Sequence, residues 1–215
     1  MRYGLKLVTP PLVEPLDLTA TKNYLRIDSG DTTQDSIILD MITAARQRCE
    51  RIIDRALVSQ AWRMTMDTWP SDSPIRWPRF LVDDWPFGSS GGFDGTTNGV
   101  IRLPRSPLIS VDSITYIDIG GNTQTWNSSN YNVDTDAEPG RITLVYNQVF
   151  PVILPRADAI TVSFTAGYGT TADTVPLEIR DRLRSCVAYM FENREQPDQK
   201  FLDDLFAGLW IGEYH

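Results

Sequence analysis

Apolar residues recur along this chain at two spacings, and the switches between them mark helical ends around a β-rich middle. Between about 35 and 55, Ile37, Ile38, Met41, Ile42, Ala45, Cys49, Ile52 and Ile53 repeat at steps of three and four. That spacing predicts a long helix with one wide apolar stripe. Its other face carries Arg46, Arg48, Glu50, Arg51, Asp54 and Arg55, which suits either a solvated surface or a charged seam between subunits. Ahead of it, residues 1–56 open with an extended proline-rich lead. A short helix follows, N-capped by Asp17 and stopped by the turn Asp28-Ser29-Gly30-Asp31.

From 57 to 170 the period shortens to that of strands. Ala61 to Met66, Ile114 to Ile117, Arg141 to Tyr146 and Ile160 to Thr165 mix β-branched and aromatic residues and stop at Gly, Pro, Asn or Asp. Asp118 to Asn122 reads as a hairpin turn. Such spacing predicts a small antiparallel module, sandwich- or barrel-like. The segment 83–99 is rich in glycine and reads as a mobile loop.

Helical spacing returns at 171–197, where Ile179, Leu183, Cys186, Val187, Met190 and Phe191 form a stripe expected to pack on the 35–55 helix. The final stretch, 198–215, repeats Phe201, Leu202, Leu205, Phe206 and Leu209 at the same spacing and adds Trp210. So apolar a terminus either folds back on its own core or docks into a groove on another protein. Gly208, Gly212 and the preceding Pro-Asp-Gln-Lys lean toward the arm. The fold class expected is α+β: terminal helices packed as a small bundle, an inserted antiparallel β module, and a C-terminal arm.

Composition narrows the function classes. The 215 residues are 41% hydrophobic, with six tryptophans, enough for a real core. A net charge of −8 argues against a surface that grips nucleic acid. Seventeen Arg stand against three Lys, a bias shared by protein–protein interfaces and by Arg-rich genomes. No run reaches the roughly 20 apolar residues of a membrane span, and no secretory signal is evident. A soluble chain made in the cytoplasm, with no membrane partner, is therefore expected.

Candidate chemistry is thin. The one histidine is His215, a poor place for a preorganised Ser/His or Cys/His pair. Two cysteines and that histidine do not make a zinc site, and neither a P-loop nor a dinucleotide fingerprint is present. Asp83 with Asp84, and Asp134 with Asp136 and Glu138, fit turn chemistry better than calcium binding or an acid/base pair. Cys49 and Cys186 read as buried thiols, with a disulfide between them geometrically open. No enzyme activity, cofactor or metal is expected. Trp69, Trp77, Trp85 and Phe87 lie near prolines and admit a second reading, a glycan- or peptide-binding β module.

The order of short motifs carries further information. Leu5-Lys6-Leu7-Val8-Thr9-Pro10-Pro11 precedes Glu14-Pro15-Leu16 and Tyr24-Leu25-Arg26-Ile27-Asp28. Then come Ala44-Ala45-Arg46, the exit Arg55 to Arg63, Leu103 to Leu108, Glu138 to Arg141, Phe164 to Gly169 and Tyr189 to Glu195. This series resembles the head–tail connector, or adaptor, proteins of tailed bacteriophages, in the branch with a β insertion. The resemblance implies a ring, typically of twelve copies, below the portal in the virion neck. That ring extends the DNA channel without specific DNA binding and offers a platform to the next neck or tail protein. It also implies that the C-terminal arm reaches the portal, making Phe201, Leu202, Leu205, Phe206, Leu209 and Trp210 candidate portal contacts. Arg46, Arg48, Arg51, Arg55, Arg180 and Arg184 become candidate subunit-interface residues. A stopper or tail terminator of the same particle is the alternative layer.

Overall fold

The computed structural model describes residues 3–70 and 99–209. The chain is α+β, as its patterning predicts. In chain order the elements are β1 (Tyr3–Thr9), α1 (Leu18–Tyr24), α2 (Asp35–Ile53), β2 (Gln60–Met66), β3 (Ile101–Arg102) and β4 (Leu108–Ile117). They continue with β5 (Thr123–Thr125), β6 (Tyr131–Asp134), β7 (Arg141–Leu144), β8 (Ile160–Ala166), α3 (Leu177–Asn193) and α4 (Gln199–Phe206).

Among the described residues the strands form two sheets without a closed barrel: five strands in the order β1-β2-β8-β4-β5, and three in the order β3-β7-β6. Every pairing is antiparallel. Alternation sets the faces. Met64, Met66, Ile160, Val162 and Phe164 point inward and share one core with Ile101, Ile142 and Tyr131 of the smaller sheet. Trp69 closes this core by stacking on Phe150 at 4.8 Å, with Trp126 beside both. The Asp118 carboxylate accepts from the Gly120 and Asn122 N–H groups, fixing the β4–β5 hairpin that the sequence predicts.

One difference concerns the N-terminal lead. It is a strand, and it pairs with β2 along Tyr3↔Met66 to Leu7↔Trp62. The larger sheet thus takes its edge from outside the 57–170 segment. The alternating Tyr3, Leu5 and Leu7 carry a β period that the prolines at 10 and 11 obscure.

The helices build a separate core. Ile38, Ile42, Ala45, Cys49 and Ile53 of α2 meet Ile179, Leu183, Cys186, Val187 and Met190 of α3. Asp17 caps α1 by accepting from the Ala20 N–H at 2.8 Å. Asp54 and Arg194, with φ of 52° each, end α2 and α3 in the left-handed conformation. Cys49 and Cys186 are free and buried, and burial pushes both thiols up, Cys186 to about 11. They act as small hydrophobes.

The two cores meet where α2 runs into β2 and β8 runs out. There Gly167 passes so close to Val58 that a Cβ would lie 2.6 Å from the Val58 carbonyl carbon. Its φ of +139° is closed to L side chains as well. Gly167→Ala is therefore expected to lower unfolding free energy by about 2 kcal/mol or more, read as a lower denaturant midpoint. An unchanged midpoint would show the junction to be slack.

Candidate assembly surfaces

The junction is held by a carboxylate that periodicity assigned to the outer face of α2. Glu50 is only 8% exposed and Arg46 5%. One turn apart, they pair at 3.0 Å. The second carboxylate oxygen of Glu50 accepts from the Leu57 N–H at 2.9 Å and from Gln60 Nε2 at 2.5 Å. Arg46 also reaches Glu14 of the lead, donating from Nε at 2.8 Å and from Nη2 at 3.2 Å. Arg46, a candidate interface residue by sequence, thus makes its ion pairs inside its own subunit. The stripe of α2 is wide enough to take Arg46 and Glu50 at its edge, because the lead and the start of β2 supply their partners. Burial raises Glu50's pKa against the downward pull of Leu57, Arg46 and Gln60. Burial opposes the charge of Arg46, yet its bonds and proximity to Glu14 and Glu50 together raise its pKa.

The other arginines divide. Arg55 clamps Glu138 with two bonds, of 2.9 and 2.7 Å, and donates to the Tyr168 hydroxyl, tying α2's exit to the β layer. Arg105, which sequence reasoning did not single out, reinforces the same join. It donates to the Glu50 carbonyl at 2.8 Å, pairs with Asp54 at 3.2 Å and covers the Trp62 ring. Arg48 reaches Met190 Sδ at 3.4 Å, and Arg51 is exposed. Arg180 pairs with Asp173 at 2.9 Å, and Arg184 with Asp181. The carboxylates of these last pairs are exposed, so each pair is worth little, while the Arg180 and Arg184 side chains are only about a fifth exposed.

The C-terminal segment does not stand free through Leu209. Its helix α4 is capped by Asp198, which accepts from the Phe201 N–H at 2.7 Å. It packs on α2 and α3, with Leu202 at 5% and Phe206 at 1% exposure. Phe201, Leu205 and Leu209 are half-buried against the same core, and Phe201 meets the Tyr189 ring at 4.4 Å. Arg182, also unremarked in the sequence, latches the end by donating to the Leu205 and Ala207 carbonyls at 2.6 and 2.8 Å. Of the two expectations for this segment, folding back describes Leu202 and Phe206, which are buried in their own subunit's core. Trp210 lies outside the described residues.

Between α2 and the end of α3 runs a groove of about 830 Å³. Ile37, Met41, Met190 and Phe191 form its apolar walls, and Asp40, Arg48, Arg194 and Glu195 its charged margin. Ile37, placed in the apolar stripe by its spacing, is 50% exposed there. Among the described residues no group of three or more His, Cys, Asp or Glu could hold a metal. The Asp134 carboxylate is occupied by Arg141 at 2.8 Å and by the Asp136 and Ala137 N–H groups. Trp69 is consumed by packing and by its bond to the Pro151 carbonyl at 2.9 Å. Asp83, Asp84, Trp77, Trp85, Phe87, the 83–98 stretch and His215 lie outside the described residues. No described helix is long and apolar enough to cross a membrane.

No protein-family model matches the chain, and no curated protein sequence does. Solved structures do. A chain from the neck of an empty gene transfer agent (GTA) particle, computed with C6 symmetry, is similar with a TM-score of 0.72 at 18% identity. It covers 98% of this chain and 96% of its own length. A chain of the virion of a native GTA particle is similar at 0.69 and 18% identity, over 97% and 96%. A third, from the neck of a native GTA particle computed with C12 symmetry, is similar at 0.61 and 19% identity, over 98% and 96%. The likeness is one of fold, and it spans both the helical and the β layers.

The junction yields a prediction. Glu50→Ala strands the Leu57 N–H and half of Arg46's pairing, and is expected to cost about 3 kcal/mol at neutral pH. The native Glu50 pKa lies above its ordinary value of 4.5, so the native state holds this proton more tightly than the unfolded one. Its contribution is full below 4.5 and is lost as pH rises through the native value. Denaturant titrations across pH should show wild type losing stability relative to Glu50→Gln as pH climbs. A parallel pair of profiles would contradict the assignment.

Proposed function

We propose that this chain is a structural ring subunit of the neck of a phage-like particle, acting as the head–tail adaptor beneath the portal. The whole-length fold likeness to chains of GTA necks and virion carries the reading. In this role copies form a closed ring, twelve in number, made in the cytoplasm of a bacterial host. The ring extends the channel through which DNA passes and presents a platform to the next neck or tail protein.

Three features support it. A net charge of −8 suits a wall past which a polyanion must slide without sticking. The rigid join between helical and β cores suits a building block that transmits load without hinging. The exposed Arg51, with the part-exposed Arg48, Arg180 and Arg184, offers weakly hydrated cations to a neighbour. The portal contact falls to the accessible side of α4, through Phe201, Leu205 and Leu209, and to Trp210 beyond it. Leu202 and Phe206 serve instead as the anchors that aim this segment.

Purified protein mixed with DNA-filled heads bearing portal should sediment with them, and heads lacking portal should capture none. Leu205→Glu should weaken that capture by about tenfold or more, since a charge would enter an apolar contact. Equal capture with and without portal, or no capture by either, would contradict the assignment.

A further inference from the structure

A ring of identical copies joined by unlike surfaces needs two different surfaces on opposite flanks of each subunit. The order of the larger sheet supplies such flanks. β1 forms one edge, and at the other β5 covers β4 only over Thr115–Ile117. The Trp126 N–H then takes the Ile114 carbonyl, and the chain departs. The stretch Leu108–Ser113 of β4 therefore has β8 on one side and, among the described strands, nothing on the other. It is nearly as long as β1. Both edges leave apolar side chains uncovered, Leu7 and Val8 at 38% and 49% on β1, and Ile109 at 41% on β4.

Direction and facing agree. Successive antiparallel steps from β1 through β2 and β8 to β4 make β1 and β4 run oppositely. A second copy's β1, laid beside Leu108–Ser113 in the same sense as the first, meets it antiparallel. Lys6 lies opposite Arg63, and Arg63 opposite Ser163, on the face turned away from the core. Asp112 accepts from the hydroxyls of Ser110 at 2.9 Å and Thr165 at 3.2 Å, which lie on that same outer face. Both residues are exposed. Lys6 has no carboxylate partner among the described residues, and Asp112 has no cation. Lys6 is central in β1, and Asp112 is next to last in the free stretch of β4.

A lysine and bulges are devices that keep edge strands from pairing indiscriminately, and both edges have bulges, at Leu7/Thr9, Leu108/Ser110 and Val111/Ser113. A lysine at the edge also selects, because it penalises any strand that does not bring a carboxylate. We propose that β1 of one copy docks along Leu108–Ser113 of the next, with Lys6 paired to Asp112, so that a shared sheet joins neighbouring subunits. The inference rests on the ring reading above and names the contact that closes it.

The test is a charge exchange on the full chain, read by native mass spectrometry and sedimentation velocity. Wild type should form a closed ring. Lys6→Glu and Asp112→Lys should each weaken association by about tenfold or more, since each sets like charges against each other. The double variant should recover most of that loss. Recovery is the deciding result, because two changes that merely damaged the fold would not cancel. Rings indifferent to the single changes, or a double variant no better than the worse single, would overturn the edge contact while leaving the neck assignment standing. Wild type that stays monomeric at every concentration and beside portal would sink both.

Discussion

A buried carboxylate governs how the two halves of this molecule sit on one another. Glu50 belongs to the helical layer by sequence, yet its oxygens are filled by Arg46 on its own helix, the Leu57 N–H, and Gln60 at the start of β2. A carboxylate taken out of water in this way contributes little net stability, because desolvation offsets most of what the partners return. It gives orientation instead. The lead, α2 and the first long strand all converge on the Arg46–Glu50 pair through Glu14 and Gln60, and displacement of any one leaves a buried polar group unmatched.

Around that knot the remaining contacts agree. Arg55 grips Glu138 from the far end of the β layer, Arg105 returns to the Glu50 carbonyl, and Gly167 admits an approach that any side chain would block. The two apolar cores are distinct, so nothing hydrophobic alone would fix their relative setting. Polar bonds do it. A subunit whose halves are locked in this way presents its outer surfaces, the sheet edges, the α2–α3 groove and α4, in fixed relation to one another. The ring proposed for this chain would draw on that.

The parts legible in the sequence were those written in periodicity and turn chemistry. The stripes of α2 and α3, the Asp17 cap and the Asp118 hairpin follow from local spacing and local hydrogen bonds. The α+β class follows from where those spacings change. Pairings between residues distant in sequence were not legible. Arg46 looked like a surface residue because Glu14 lies 32 positions away, and Glu50 looked solvated because Gln60 belongs to another element. The edge role of β1 was hidden for the same reason, since a strand's partner is not encoded in the strand. At the C-terminus the amphipathic spacing was read correctly. What covers the apolar side is not legible there, because an exposed arm and a docked helix have the same pattern; the contacts to α2 and α3 and the Arg182 latch appear only in the fold.

A reconstruction of the assembled neck at side-chain detail, from particles carrying this chain, tests the central claim most directly. It should show the chain as a closed ring directly below the portal, with each copy keeping the Glu14–Arg46–Glu50 cluster intact between its helical and β layers. A neck from which the polypeptide is missing, or in which its copies are isolated from one another, would contradict that claim.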